Sequence, residues 1–238
     1  PHLPAAGETV KGTVFKMGPG GKGFNQGVAA HKAGADVTMV TKLGRDTFAD
    51  IALNTMKELG MKQDRILYSD DTETGCALIM VDENTSQNEI VVILGSCNTI
   101  SDAEVDSLED LLDGCEYMLT QLETNVSSVE RIVDIACKKG VKVILNTAPV
   151  QPISDELLSK VDLITPNEVE AEILTGVKVD SEEAADKAAE WFFGKGVKRV
   201  LITLGGRGVY INTGDKKGII PAYKVNAIDT TGAGDAFN

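Results

Sequence analysis

The chain of 238 residues carries 36 acidic against 23 basic side chains, a formal charge of −13, and is 42% hydrophobic and 25% charged. That suits one large α/β domain or two small ones with a packed core, and the acidic balance argues against a nucleic-acid binder, which needs clustered basic surface. No apolar run approaches the roughly 18–20 residues of a membrane-spanning helix, and no leader pattern opens the chain.

Cys76, Cys97, Cys115 and Cys137 are dispersed with no C-x-x-C pair, so buried thiols in a reducing cytoplasm are expected. Only His2 and His31 are present, too few for an H-E-x-x-H zinc site, and neither accompanies a serine nucleophile pattern. Both ends read as cut: Pro1-His2-Leu3-Pro4 lacks an initiator Met, and Asp235–Asn238 reads as the first turn of a helix.

In chain order, Glu8–Lys16 alternates like a strand of an antiparallel ribbon. Asn25–Ala33 reads as a helix, Val37–Thr41 as a strand, and Asp46–Leu59 as a helix stopped at Gly60. Gly75–Val81 and Glu89–Leu94 pair across the polar turn 82–88, and with Glu8–Lys16 they predict a small accessory sheet, a candidate lid or dimer surface. From Ser101 helices and strands alternate. Ser101 with Glu104 forms a capping box, and the helix closes at Gly114. Strand 117–122 follows, then a helix capped by Ser127 and Glu130, strand 141–145, a short helix 155–160 and strand 161–165. Helix 168–174 stops at Gly176, Asp180 with Glu183 caps the next helix, and strand 199–204 follows it. Near-continuously apolar strands separated by helices predict a doubly wound, mostly parallel α/β sheet covered on both faces.

In such a sheet ligands bind beyond the carboxyl ends of the strands, where strand order reverses. Those ends deliver Glu123, then Asn146 and Pro149, then Asn167 with Glu170 a helical turn on, then Thr203, Gly205, Gly206 and Gly208, and finally Asp229, Thr231 and Asp235. Each has an ordinary alternative: Asn167 as a helix cap, Glu123 as a solvated acid, Gly205 and Gly206 as a turn. Together they predict one polar rim.

The run Asp229-Thr230-Thr231-Gly232-Ala233-Gly234-Asp235 carries the clearest chemistry. Small side chains leave the amides of residues 232–235 open where a helix starts, which suits an anion. Asp235 just inside that helix suits a base that takes a proton from an attacking hydroxyl. The run from Gly18 to Gln26 contains G-x-G-x-x-G at Gly18, Gly20 and Gly23, but the next strand ends without an acid for a ribose, and Lys22 is followed by Gly23, which breaks a Walker A pattern. What remains is a tight turn opening a helix, presenting Lys22 and Asn25 to a polyhydroxylated ligand.

Gly20-Gly21-Lys22-Gly23-Phe24-Asn25-Gln26 and Asp229–Asp235 resemble the two signatures of the ribokinase-like (PfkB) carbohydrate kinases. Gln121-Leu122-Glu123, Thr165–Glu170 and Thr203–Gly208 resemble the landmarks between them, in the same order along the whole chain. The resemblance implies one kinase domain over residues 1–238, incomplete at both ends, with lid segments at about 7–17 and 74–95 that also form a homodimer interface. It implies transfer of the γ-phosphoryl of ATP to the 5-hydroxyl of D-ribose. By position, Asp235 matches the catalytic base, and Gly232, Ala233 and Gly234 the anion hole. Gly21, Lys22, Gly23, Asn25, Glu123 and Asp235 match the sugar-binding set. Asn167, Thr203, Leu204, Gly205, Gly206, Arg207, Gly208 and Gly234 match the ATP-binding set. Glu170 matches the acid that organises Mg2+ and its waters, and Asp229 and Thr231 match part of a K+ site. Phe24 stands where the family has a small residue, and Pro19 stiffens the approach to the turn. A kinase for deoxyribose, another small sugar or a nucleoside, and a non-catalytic sugar or nucleotide sensor on the same scaffold, are the alternative expectations.

Overall fold

A computed structural model describes residues 2–82, 85, 88–226 and 230–238. The chain divides into two compact units, Pro1–Thr99 and Ile100–Asn238.

The first unit holds α1 (Lys22–Lys32), β1 (Lys42–Leu43), α2 (Thr47–Glu58), β2 (Leu67–Tyr68), β3 (Thr74–Val81) and β4 (Asn88–Gly95). Its core gathers Met39, Leu43, Ala49, Met56, Met61 and Ile66, with Phe24, Val28 and Leu53 packed against them. Two expectations are corrected here. Glu8–Lys16 is not a strand: among the described residues it joins no ladder, and Val14 and Phe15 stand exposed. Val37–Thr41 is not a strand either, because parallel pairing starts only where Leu67 N donates to Thr41 O, and it continues as Lys42–Leu43 against Leu67–Tyr68.

The expected hairpin is present, β3 pairing antiparallel with β4 in the register Leu78↔Val91 and Ile79↔Ile90. Side chains alternate across a strand, yet Leu78, Ile79, Met80, Val81, Ile90, Val91, Val92 and Ile93 are all more than 40% exposed. Both faces of the ribbon are therefore apolar and bare within this unit. The tip of its turn lies largely outside the described residues.

Asp46 ties the unit together. As N-cap of α2 its Oδ1 accepts from Ala49 N (2.9 Å), while Oδ2 accepts from Thr74 N (2.7 Å) at the start of β3. Thr74 Oγ1 in turn accepts from Gly44 N (2.9 Å). Burial pushes the Asp46 carboxyl up, but the amides of Thr74 and Ala49 outweigh it and hold the group below its ordinary value.

In the second unit α3 (Asp102–Asp106) opens with the Ser101–Glu104 capping box, as expected. It breaks after one turn into a 3₁₀ segment, Glu109–Leu112, instead of running on to Gly114. Then come β5 (Tyr117–Thr120), α4 (Val126–Lys138), β6 (Lys142–Leu145), α5 (Asp155–Ser159), β7 (Leu163–Ile164), α6 (Glu168–Thr175) and α7 (Glu182–Gly194). After these come β8 (Val200–Thr203), β9 (Val209–Asn212), β10 (Lys217–Ile220) and α8 (Ala233–Phe237). The sheet order among described strands is β10-β9-β8-β7-β6-β5, with β5 to β8 parallel and β8 to β10 antiparallel. Among the described strands of this unit β5 to β8 share one carboxyl edge, and the polar residues that follow them lie along it. The α/β class with a mostly parallel sheet and a small antiparallel ribbon is as expected.

Two cap assignments shift. Helix α4 starts at Val126 with Asn125 as N-cap, because Ser128 N and Val129 N both bond Asn125 O, so Ser127 lies inside it. Ser181, not Asp180, caps α7, its hydroxyl accepting from Ala184 N (3.1 Å). On α7, Ala185, Ala188, Ala189 and Phe192 share one face and are fully buried, and the small alanines let the helix lie close on β8 and β9. Tyr210 on β9, also fully buried, donates to Asp186 Oδ1 of α7 (2.8 Å), which Lys217 of β10 pairs at 2.5 Å. All four cysteines are free thiols; Cys115 is exposed, contrary to the expectation of burial, and the others are half-buried.

Since the Asp46 carboxyl is depressed in the folded state, its contribution is present above the unfolded value near pH 4 and is lost as pH falls through the folded value. Asp46→Ala should destabilise the protein by about 1–2 kcal/mol at pH 7. Asp46→Asn, which retains a cap but no charge, should flatten the loss of stability between pH 5 and 3 in urea titrations followed by circular dichroism. An unchanged acid limb would assign that loss to other carboxylates.

Candidate active site

The carboxyl edge of the second unit is built by hydrogen bonds between successive strand ends. After β6, Asn146 is buried and its Nδ2 donates to Thr165 O (2.8 Å) beyond β7. Next to it Thr147, fully buried, places Oγ1 3.3 Å from Glu170 Oε2. Asn167 and Glu170 form a reciprocal capping box on α6: Glu170 N donates to Asn167 Oδ1 (2.8 Å), and Asn167 N donates to Glu170 Oε2 (3.0 Å). Asn167 Nδ2 also donates to Glu170 Oε1 (2.9 Å). The backbone of Asn167 bridges in parallel to Thr203 after β8, and Thr203 N donates to Pro166 O (3.0 Å). Asn167, Glu170 and Thr203 are thereby brought together.

The loop after β8 turns sharply. Leu204 N donates to Gly208 O (2.8 Å), Gly205 has φ 53° and Gly208 φ 106°, a region that favours glycine. A Cβ on Gly205 or Gly206 would meet open space, whereas one on Gly208 would overlap the Ile220 carbonyl and lie 2.7 Å from Ala222 N. Gly208 is thus required by β10, while the openness at Gly205 and Gly206 leaves their backbone approachable. Arg207 is engaged by protein groups: Nη1 donates to Asp180 O (3.0 Å), and Nη2 to Val179 O (2.9 Å) and Glu168 Oε1 (2.7 Å).

The chain enters α8 through Gly232, whose φ of 72° is left-handed. Ala233 and Gly234 on the first turn are exposed, while Asp235 is buried at 8% exposure. The helix is anchored by Asn238, whose Nδ2 donates to Gly234 O (2.8 Å) and whose Oδ1 accepts from Thr165 Oγ1 beyond β7. A buried carboxylate therefore sits beside small, open residues at the same sheet edge as Asn167 and Thr203. Thr231 is exposed; Asp229 lies outside the described residues.

Glu123 follows β5, half-buried, in a loop fastened to the one after β6: Leu122 N donates to Ala148 O (3.0 Å) and Gln151 Nε2 to Leu122 O (2.5 Å). The peptide between Ala148 and Pro149 is cis. The remaining sugar-set residues belong to the first unit. There Gly21, at φ 87°, is the N-cap of α1, so the helix begins at Lys22, earlier than the expected Asn25. Asn25 N donates to Gly21 O (2.9 Å), and Lys22, Gly23 and Asn25 are half-buried. Sequence reasoning missed Thr147, Glu168 and Asn238. The only signal for Thr147 was its place directly after an apolar strand, and for the other two their adjacency to motif residues.

The family model for pfkB family carbohydrate kinases matches residues 2–238. Among curated proteins, the ribokinase of Haemophilus influenzae is 44% identical over all of this chain and 78% of its own length. The deoxyribokinase of Salmonella typhi is 37% identical over 99% of this chain and 77% of its own. A solved ribokinase of Arabidopsis thaliana, complexed with ribose and ATP, superposes with a TM-score of 0.88 at 29% identity, over 99% of this chain and 77% of that one. The chain thus belongs to the pfkB family of carbohydrate kinases, an ATP-dependent sugar kinase.

Proposed function

We propose that this protein is a ribose kinase, transferring the γ-phosphoryl of ATP to the 5-hydroxyl of D-ribose. The observation that carries the reading is Asp235, buried on the first turn of a helix entered through left-handed Gly232 and flanked by exposed Ala233 and Gly234. The 44% identity to a ribokinase supports the choice of sugar. A carboxylate oxygen of Asp235 takes the proton of the attacking hydroxyl. The hydroxyl oxygen bonds to the γ-phosphorus as the bridge to the β-phosphate breaks, and ADP leaves. Backbone N–H groups at Gly232 and Gly234 stabilise the charge on the transferring group; the Ala233 N–H, expected to join them, donates instead to Thr230 O (3.1 Å).

Gly21, Lys22, Gly23, Asn25 and Glu123 are assigned to the sugar, and Asn167, Thr203, Leu204, Gly205, Gly206, Gly208 and Gly234 to the nucleotide. Mg2+ bound with ATP would neutralise phosphate charge. Glu170 suits an indirect hold on it through water, since both carboxylate oxygens already accept protein hydrogen bonds. Among the described residues no group of three His, Cys, Asp or Glu side chains gathers as a direct metal site. K+ is assigned to Thr231 and Asp229. A cytoplasmic setting, where ATP is plentiful, goes with this reading, and no described helix is long and apolar enough to cross a membrane.

Ribose-dependent ADP formation tests the base. Asp235→Asn should lower kcat by about 10²–10⁴ with KM for ribose changed by only a few-fold; turnover close to wild type would remove Asp235 from that role. A second sugar is favoured by the deoxyribokinase relative at 37% identity. The ratio of kcat/KM for ribose over 2-deoxyribose decides between them: a ratio above about ten supports ribose, and its inverse supports deoxyribose.

We also propose that the β3–β4 hairpin is the lid and the contact between two copies of the chain, because eight apolar side chains on two faces are a large exposed patch for a monomer. Ile79→Lys with Val92→Lys should convert a dimer to a monomer in analytical ultracentrifugation. A wild type that stays monomeric at high micromolar concentration would end that assignment.

A further inference from the structure

We infer that Arg207 is a positioning residue: it locks the Gly205–Gly208 loop onto the start of α6 and the α6–α7 connection, and governs nucleotide affinity through that lock without touching the nucleotide. The inference rests on the reading of this loop as part of the nucleotide site.

Besides the bonds of its own 3₁₀ turn, Leu204 N to Gly208 O, Arg207 N to Leu204 O and Gly208 N to Gly205 O, the loop has three points of attachment to the rest of the unit. At its start Thr203 is fixed by its bridge to Asn167, and at its end Gly208 is pressed against the backbone of Ile220 and Ala222. Between them Gly205 and Gly206 carry no side chain, and a Cβ there would meet open space, so no side-chain packing adds to the turn bonds in holding this stretch and its backbone has freedom to lose when a ligand orders it. Arg207 is the remaining anchor. Its guanidinium reaches Glu168 Oε1 at 2.7 Å, Val179 O at 2.9 Å and Asp180 O at 3.0 Å.

Those acceptors come from two separate segments. Glu168 is the first residue of α6, directly after the cap Asn167. Val179 and Asp180 lead into the Ser181 cap of α7. A planar fork can span all three, whereas a lysine ammonium cannot hold the same geometry. The ion pair alone, with both side chains more than a third exposed, contributes little. The two loop carbonyls are what make the arrangement specific to arginine. With the head group committed to these acceptors, its effect on a ligand passes through the backbone of Gly205 and Gly206, which it holds ordered in advance.

The test combines calorimetric titration of ADP with hydrogen exchange read by mass spectrometry, on the wild type, Arg207→Ala, Arg207→Lys, Glu168→Gln and the Arg207→Ala/Glu168→Gln double variant. Arg207→Ala should weaken ADP by about three- to tenfold, with Arg207→Lys intermediate. Glu168→Gln should weaken it less, and the double variant should match Arg207→Ala, since the two residues act as one unit. Before ADP is added, peptides covering 203–208 and 177–181 should exchange faster in Arg207→Ala. Unchanged exchange in both peptides would overturn the lock. Independent, multiplying losses at Arg207 and Glu168 would show that the two do not act as one unit and would overturn the lock. Wild-type protein that fails to bind ADP would overturn the nucleotide reading itself, while the exchange data would still decide whether the lock exists.

Discussion

The organising constraint of the second unit is the parallel ladder from β5 to β8. Parallel strands must all end at the same edge, so whatever follows each of them in sequence is delivered to one line of space. Asn146 and Thr147 after β6, Asn167 and Glu170 after β7, and Thr203 after β8 are far apart in the chain and adjacent in the fold for this reason alone. The buried faces of Val143, Leu145, Ile164, Val200 and Ile202 stabilise the ladder, and α7 closes over β8 and β9 with its alanine face. The polar groups of the rim are therefore held by hydrophobic burial several residues away.

Many of the bonds at that rim have a structural duty as well. The capping box between Asn167 and Glu170 satisfies amides that any helix start leaves open, and it fixes the orientation of both side chains at the same time. The Asn238 amide fastens α8 to the end of β7 and so holds Asp235 in place. In each case the polar groups cannot relax to another rotamer without unsatisfying a backbone group, and this is how a site is preorganised on otherwise ordinary elements.

The legible part of the molecule was the part governed by local physics. Apolar runs named the strands β5 to β8, and the pair Ser101–Glu104 announced its helix because a cap is a short-range device, whereas Asn167 was read as a cap only as the alternative to a ligand contact. The glycines at 232 and 234 marked the turn into α8. The segment 8–16 misled because alternation describes what a strand would look like, while pairing depends on a partner that alternation does not supply. The antiparallel pair β9–β10 went unread although Gly214, at φ 87°, turns the chain between two apolar runs; that signal was present and obscured by the preceding glycine loop. Motif position carries no information about which way a guanidinium turns, so the bonds of Arg207 to Glu168, Val179 and Asp180 could not be read from the sequence.

The hairpin of the first unit has a consequence for how the chain finds its pairing. Register in a ribbon is normally chosen by which face is greasy, since sliding one strand by one residue turns every side chain over. With both faces of β3 and β4 equally apolar, sliding would cost little in burial, and the choice falls to the hinge end. There Gly75 and Gly95 allow a crossing that any side chain would block: a Cβ on Gly75 would lie 2.5 Å from Leu94 O, and one on Gly95 2.5 Å from Glu73 O, with Gly95 itself at φ 54°. Two residues without side chains thus serve as the alignment pin for the other fourteen of the two eight-residue strands.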